Sequence, residues 1–203
     1  RIRTSSGQRT LCYAGGVAFN CVVNGRILAE TGFDDLYIQP AAGDAGLAIG
    51  ASLFLYHHIL DKPRKFIMNH SYWGPQYSND HIEDELRASG TAFSIKDESD
   101  LADYIASKLA EGKIVAWYQG KSEWGPRALG NRSILADPRQ KNMKEILNEK
   151  IKNRETFRPF APSVLKEKSQ DWFEDNPNSP FMLITYNAKQ EKIKHIPAPI
   201  HVD

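Results

Sequence analysis

Apolar positions in the first sixty residues fall into short runs separated by stretches at helical spacing, and this alternation predicts a β-α-β-α unit. Thr10 to Ala14 reads as a short buried strand that turns at Gly15-Gly16 into a helix from about Val17 to Glu30, with Gly32 as its stop. Leu36 to Gln39 reads as a second strand. The turn Pro40-Ala41-Ala42-Gly43-Asp44 then leads into a helix from Ala45 to about Leu60, whose Gly46, Ala48, Gly50 and Ala51 permit close packing on a sheet. Residues 61–80 break both periodicities with Pro63, Gly74 and Pro75, yet Tyr72, Trp73 and Tyr77 make the segment too aromatic for a loose linker. It reads as a surface connector, with a domain boundary near residues 65–80. A second unit follows: a short helix from His81 to Ser89, a strand near Ala92 to Ile95, and a helix closed at Gly112. Asp97 or Ser99 is placed to cap that last helix, whose apolar face is Leu101, Tyr104, Ile105 and Leu109. The strand Ile114 to Tyr118, a helix from about Lys141 to Lys152, a short helix near Trp172 and a strand Phe181 to Tyr186 complete the prediction.

The chain has 203 residues, of which 41% are hydrophobic, enough for a packed core in one large domain or two small ones. Its 26 basic and 25 acidic residues leave a net charge of +1, so no global field draws it to nucleic acid or an anionic membrane, and any positive potential is local. Cys12 and Cys21 lack zinc-ligand spacing and are expected as reduced core thiols, which implies a cytoplasmic protein. No apolar run reaches the length of about 18 to 20 residues that spans a bilayer. The start Arg1-Ile2-Arg3-Thr4 lacks both a signal-peptide core and an initiator methionine, and the end is uncapped, so the chain is expected to be cut from something longer.

Four constellations carry candidate chemistry. In Ala14-Gly15-Gly16-Val17-Ala18-Phe19-Asn20, paired glycines sit where a strand meets a helix start, which suits either a nucleotide phosphate or ribose or simply a tight turn. Gly43-Asp44-Ala45-Gly46 occupies the equivalent place after the second strand, where Asp44 is open to two readings, a helix cap or a metal ligand. His57 and His58 are adjacent on a helix, diverge by about 100° and do not chelate one ion together. The segment from Gln119 to Arg139 holds Arg127, Arg132 and Arg139 among Gly120, Gly125 and Gly130, and planar guanidinium forks on a backbone that permits close approach read as an anion-handling site. Arg127 is the favoured ligand contact, while Arg132 has an alternative as partner of Asp137 and Arg139 as a solvated cation. Finally, Lys150 to Phe160 runs a cationic helix end into an aromatic, proline-stiffened segment. There Phe157, Pro159 and Phe160 suggest burial of Arg158, which would require an anion.

The runs Leu11 to Cys21, Gln39 to Gly46, Trp124 to Arg139 and Phe157 to Val164 occur in an order that strongly resembles the NodU/CmcH-type O-carbamoyltransferases across nearly the whole chain. The resemblance implies an α/β chain with an α+β second unit: residues 1–65 end an actin-like ATPase-type domain similar to tRNA threonylcarbamoyltransferases, 66–80 connect, and 81–203 begin a YrdC-like domain. It implies that ATP with Mg and carbamoyl phosphate form carbamoyl adenylate in the second unit, and that the other domain, with a divalent metal such as iron, passes the carbamoyl group to a hydroxyl of a sugar, nodulation factor or antibiotic. Arg127, Lys152 and Arg158 match the cationic positions that hold carbamoyl phosphate and nucleotide phosphates, with Asn131, Arg132, Ser133 and Arg154 beside them. Gly15, Gly16 and Asn20 match the nucleotide-contacting turn, and Asp44 matches an aspartate metal ligand. With the family's metal-binding histidines and first lobe expected upstream, the isolated chain is expected to be inactive or nearly so. The alternative is an RNA- or nucleotide-binding module without transfer activity, which would stack bases on Trp117, Tyr118 and Trp124. A homo-oligomer formed through exposed apolar area is a further expectation.

Overall fold

The computed structural model describes residues 1–175 and 178–201, and its elements form an α/β chain with two small sheets. After helix α1 (Ile2–Ser6), strands β1 (Thr10–Cys12) and β2 (Asp35–Tyr37) pair in parallel, with Leu11 opposite Leu36. The crossover between them is helix α2 (Cys21–Thr31). The expected single helix from Val17 is two pieces. Gly16–Phe19 form a 3-10 turn, and Asn20 then accepts the Val23 N–H at 3.1 Å and caps α2 afresh. Gly32 ends α2 in the left-handed region at φ 73°, as its position predicts.

A 3-10 turn at Asp44–Gly46 opens helix α3 (Leu47–Phe54), which continues as a π-helical turn over Leu55–Ile59. None of the residues in α3 or its extension is buried, and Leu47, Phe54 and Ile59 are more than half exposed. Residues 61–77 contain no regular element. Helices α4 (Asn79–Ala88) and α5 (Glu98–Ala110) follow. Asp97 stands at the N-cap of α5 without a side-chain bond to it, and the Ser99 hydroxyl donates to Asp100 instead.

The expected strand at Ala92 to Ile95 does not form. Those residues are exposed, and without a neighbouring strand their amides have no ladder to join. Strands β3 (Val115–Tyr118) and β4 (Arg132–Leu135) make an antiparallel hairpin in which Trp117 faces Ser133, so part of the arginine segment, for which no element is predicted from sequence, is a strand. Helix α6 (Met143–Ile146) widens to π-helical turns over Leu147–Lys152, and α7 (Ser169–Trp172) and α8 (Gln190–Ile193) are short.

The main core unites Ala18, Leu36, Ile38, Ala42 and Met68 with Phe181 and Leu183 from far along the chain. The segment Phe181 to Tyr186 supplies these apolar side chains but is not the expected strand, because its main chain is satisfied by other groups. The carboxamide of buried Asn24 donates to Leu183 O at 2.8 Å and to Ala18 O at 2.7 Å, while Ser179 Oγ accepts from Leu183 and Ile184. A second core gathers Met143, Leu147 and Ala198 around Ile114, Ile134 and Phe160. Cys12 is exposed and Cys21 only partly buried, so the thiols are unpaired as expected but do not belong to the core. β1 is three residues long, and of its residues only Leu11 is partly buried, while Cys12 lies on the exposed face. Among the described residues, no helix is long and apolar enough to cross a membrane.

Asn24→Ala removes two buried hydrogen bonds and strands the Ala18 and Leu183 carbonyls. It is expected to lower stability by about 2–4 kcal/mol in denaturant titration.

Candidate functional site

The loop between β3 and β4 is shaped by its own polar side chains. One oxygen of the Glu123 carboxylate accepts the Leu129 and Asn131 N–H groups at 2.8 Å each, Ser133 Oγ accepts from Gly130 N at 3.0 Å, and the Asn131 amide donates to Lys121 O. Arg132 is wholly committed to the same task. Its guanidinium donates to Gln119 O at 2.5 Å, Asn131 O at 2.9 Å, Gly120 O and Ser122 Oγ, and lies 3.5 Å above the Tyr118 ring. It therefore does not pair with Asp137, and one face of the Tyr118 ring is covered by it.

This loop is pressed onto the carboxyl edge of the β1–β2 pair. Gly125, at φ 112°, lies so close to Pro40 that a Cβ there would stand 2.6 Å from the Pro40 carbonyl oxygen. Leu129 packs into the main core, Tyr72 Oη donates to Leu129 O at 2.8 Å, and Trp124 N donates to the Ser71 carbonyl at 2.6 Å. The connector is thus the cradle of the loop. Arg127 reaches across and donates from Nη2 to Phe19 O at 3.1 Å, at the end of the Gly15–Asn20 turn. Its Nε and the indole N–H of Trp124 are buried without a partner.

Three of the four sequence constellations therefore meet here. Gly15, at φ 106°, gives its N–H to Ala42 O at 2.8 Å, and both Gly15 and Gly16 have open space where a side chain would stand. Asn20 is occupied as a helix cap. Asp44 is exposed at the first position of its turn rather than at the cap, which is Gly43.

The fourth constellation is organised by Asn148, a residue that sequence reasoning missed. It is 0% exposed, and its Nδ2 donates to Thr156 O at 3.1 Å and Arg158 O at 2.9 Å. Its Oδ1 accepts from Arg154 Nε at 2.6 Å. Arg154 also lies 4.8 Å from the Phe160 ring centroid. Burial above all, and then the like charges of Arg158 and Arg127, hold Arg154 below the ordinary arginine pKa, while Glu155 opposes them. Arg154 therefore links the two arginine groups electrostatically. Arg158 is not buried as its aromatic neighbours suggested: its side chain is half exposed and only loosely paired with Glu155 at 3.7 Å, because Phe157 itself points to solvent. Lys152 is exposed at the end of its helix, and among the described residues no hydrogen bond or ion pair joins its side chain to this cluster.

Arg139, read as a cation free in solvent, instead forks onto Asp137, a buried carboxylate that also accepts the Arg139 main-chain N–H at 2.9 Å. The Arg139 side-chain hydrogen bond is the largest of the influences holding Asp137 below its usual pKa. Glu123 was also unforeseen and has no sequence signal, since an acid beside Trp124 looks like any surface residue. Asn148 did carry one: it is a polar residue directly after buried Leu147 in a helix.

Comparison with known proteins identifies the class. Residues 1–53 match the family described as carbamoyltransferase N-terminus and residues 106–203 the carbamoyltransferase C-terminus. The chain belongs to the carbamoyltransferase family. Among its relatives, an uncharacterised protein of Synechocystis sp. is 49% identical over 91% of this chain and 31% of its own length. Nodulation protein NolO of Bradyrhizobium diazoefficiens is 42% identical over 99% and 37%, and nodulation protein NolNO of Sinorhizobium fredii is 42% identical over 98% and 30%. The chain thus spans about a third of the length of these relatives.

Two outcomes follow from the geometry. Gly125→Ala forces a side chain into left-handed backbone and against Pro40, and is expected to cost about 1–3 kcal/mol in thermal or chemical unfolding. For Asp137, whose folded pKa is lowered, the stabilisation is complete above the ordinary aspartate value and is lost as pH falls through the lower folded value. Asp137→Asn is expected to be less stable than wild type at neutral pH, with the gap closing under acid when unfolding is followed against pH.

Proposed function

We propose that this chain is part of an O-carbamoyltransferase in which Arg127, Arg154 and Arg158 hold carbamoyl phosphate and the phosphates of ATP, with Lys152 at the margin. The observation that carries this reading is the position of Arg127, which reaches the Gly15–Asn20 turn through Phe19 O with its Nε buried and unpartnered, while Asn148 fixes Arg154 in the same short turn that carries Arg158. Gathering like charges costs free energy, and an anionic ligand offsets it. The family matches on both sides of the connector support the carbamoyl chemistry.

In this reading residues 81–203 belong to a YrdC-like unit. Water releases phosphate from carbamoyl phosphate to leave carbamate, and the carbamate oxygen then attacks the α-phosphorus of Mg-bound ATP, with pyrophosphate as the leaving group. The arginines act by fixed electrostatics on charge that develops at the transferring groups. Residues 1–65 belong to an actin-like ATPase-type unit, where the turn at Gly15, Gly16 and Asn20 faces nucleotide and the carbamoyl group passes to a hydroxyl acceptor, in the cytoplasm. Arg127, bonded to Phe19 O, joins the two stations. An iron-type metal would draw on Asp44. Among the described residues, no three His, Cys, Asp or Glu side chains gather to hold an ion, so Asp44 furnishes one ligand and no step is derived through the metal. Asn131, Arg132 and Ser133 serve by shaping the loop.

The test is carbamoyl-phosphate-dependent exchange of pyrophosphate into ATP by the full-length protein that carries this chain. Arg127→Ala is expected to lower the exchange rate by about 10²–10³-fold, the loss typical of a donor aimed at developing charge. Exchange that ignores carbamoyl phosphate, or that survives Arg127→Ala, would refute the assignment.

A further inference from the structure

The side chain of Asn148 has no room for a ligand of its own, since it is fully enclosed and every one of its polar atoms is bonded within the protein. What it does is hold other groups. Its main-chain carbonyl accepts from Arg154 N at 3.0 Å and its Oδ1 from Arg154 Nε at 2.6 Å, so Arg154 is gripped at both ends by one residue. Its two amide hydrogens go to the carbonyls of Thr156 and Arg158, on either side of Phe157. The chain between is short and turned by Asn153, at φ 46°. Asn148 is therefore the post around which residues 153–158 are wound, and it holds the side chain of Arg154 but only the main chain of Arg158.

The chemistry of the amide suits this task in a way that a carboxylate would not. An aspartate would lack the N–H groups that satisfy the two carbonyls, and its charge would cancel the guanidinium it orients. A neutral acceptor fixes the plane of Arg154 and leaves its charge intact. Phe160 lies 4.8 Å from Cζ and supports that plane. With Nε taken by Asn148, neither Nη of Arg154 has a hydrogen-bond partner among the described residues, and the side chain is only partly buried, so the outer edge of the guanidinium is left for a ligand. That edge presents two parallel donors, the arrangement that matches two oxygens of a phosphate.

We propose that Asn148 is a positioning residue that acts through Arg154, presenting its outer edge to an oxyanion without neutralising it. The inference rests on the anion-site reading given above. Titration calorimetry of the full-length protein with carbamoyl phosphate tests it as a double-mutant cycle. Asn148→Ala and Arg154→Ala are each expected to weaken binding by about tenfold or more. In the Arg154→Ala background, Asn148→Ala is expected to change affinity by no more than about twofold, although its effect on stability persists. Arg154→Lys leaves Asn148 untouched and retains the charge but not the oriented fork, and is expected to lose nearly as much affinity as Arg154→Ala.

Wild-type affinity in Asn148→Ala, additive losses in the double variant, or full binding by Arg154→Lys would each overturn the inference while leaving the anion site standing. Failure of the wild-type protein to bind carbamoyl phosphate would remove both. Should Asn148→Ala not fold, the Arg154→Lys titration decides alone.

Discussion

Everything near the candidate site depends on how tightly the loop after β3 lies against the carboxyl edge of the β1–β2 pair. Gly125 meets the Pro40 carbonyl at a separation that admits no side chain, and Arg127 then falls within hydrogen-bonding distance of Phe19 O. Because the left-handed conformation at Gly125 is closed to most residues, the approach is set by backbone sterics rather than by the arginine. The arginine exploits a junction that glycine makes possible. Leu129 secures the junction from within the main core, and the connector secures it from outside through Ser71, Tyr72 and Gly74.

Two buried carboxamides tie main-chain segments together, one over a long range and one locally. Asn24 ties α2 to a segment about 160 residues away through the Leu183 carbonyl, and Asn148 winds the 153–158 turn. Each replaces strand pairing that the local sequence does not supply, since an amide side chain satisfies main-chain carbonyls where no neighbouring strand is present. The cost is intolerance. A buried carbonyl deprived of its donor has no water to turn to, so these positions admit few alternatives.

The arginines divide by function according to how many acceptors surround them. Arg132 spends its Nη donors on loop oxygens and is stacked on Tyr118, and the charge of Arg139 is matched by a buried carboxylate, so neither is free to grip a ligand. Arg127, Arg154 and Arg158 are incompletely matched, with one weak carboxylate among them. Sequence alone misjudges the partners of Arg132, Arg139 and Arg158. The distinction arises only when the fold decides which carbonyls point inward.

Much of the architecture was legible in the chain itself. The β-α-β-α order, the Gly32 stop, the irregular connector and the arginine-rich turn all follow from local chemistry: hydrophobic period, the conformational freedom of glycine and the stiffness of proline act within a few residues. Strands at Ala92 to Ile95 and Phe181 to Tyr186 were not so determined, because a strand exists only by pairing, and partners are chosen by the whole fold. Glu123 and the meeting of Arg127 with the Gly15–Asn20 turn lay beyond sequence reasoning for the same reason. The residue types needed to grip an anion are written along the chain, but which of them remain uncompensated is settled by contacts between residues more than a hundred positions apart.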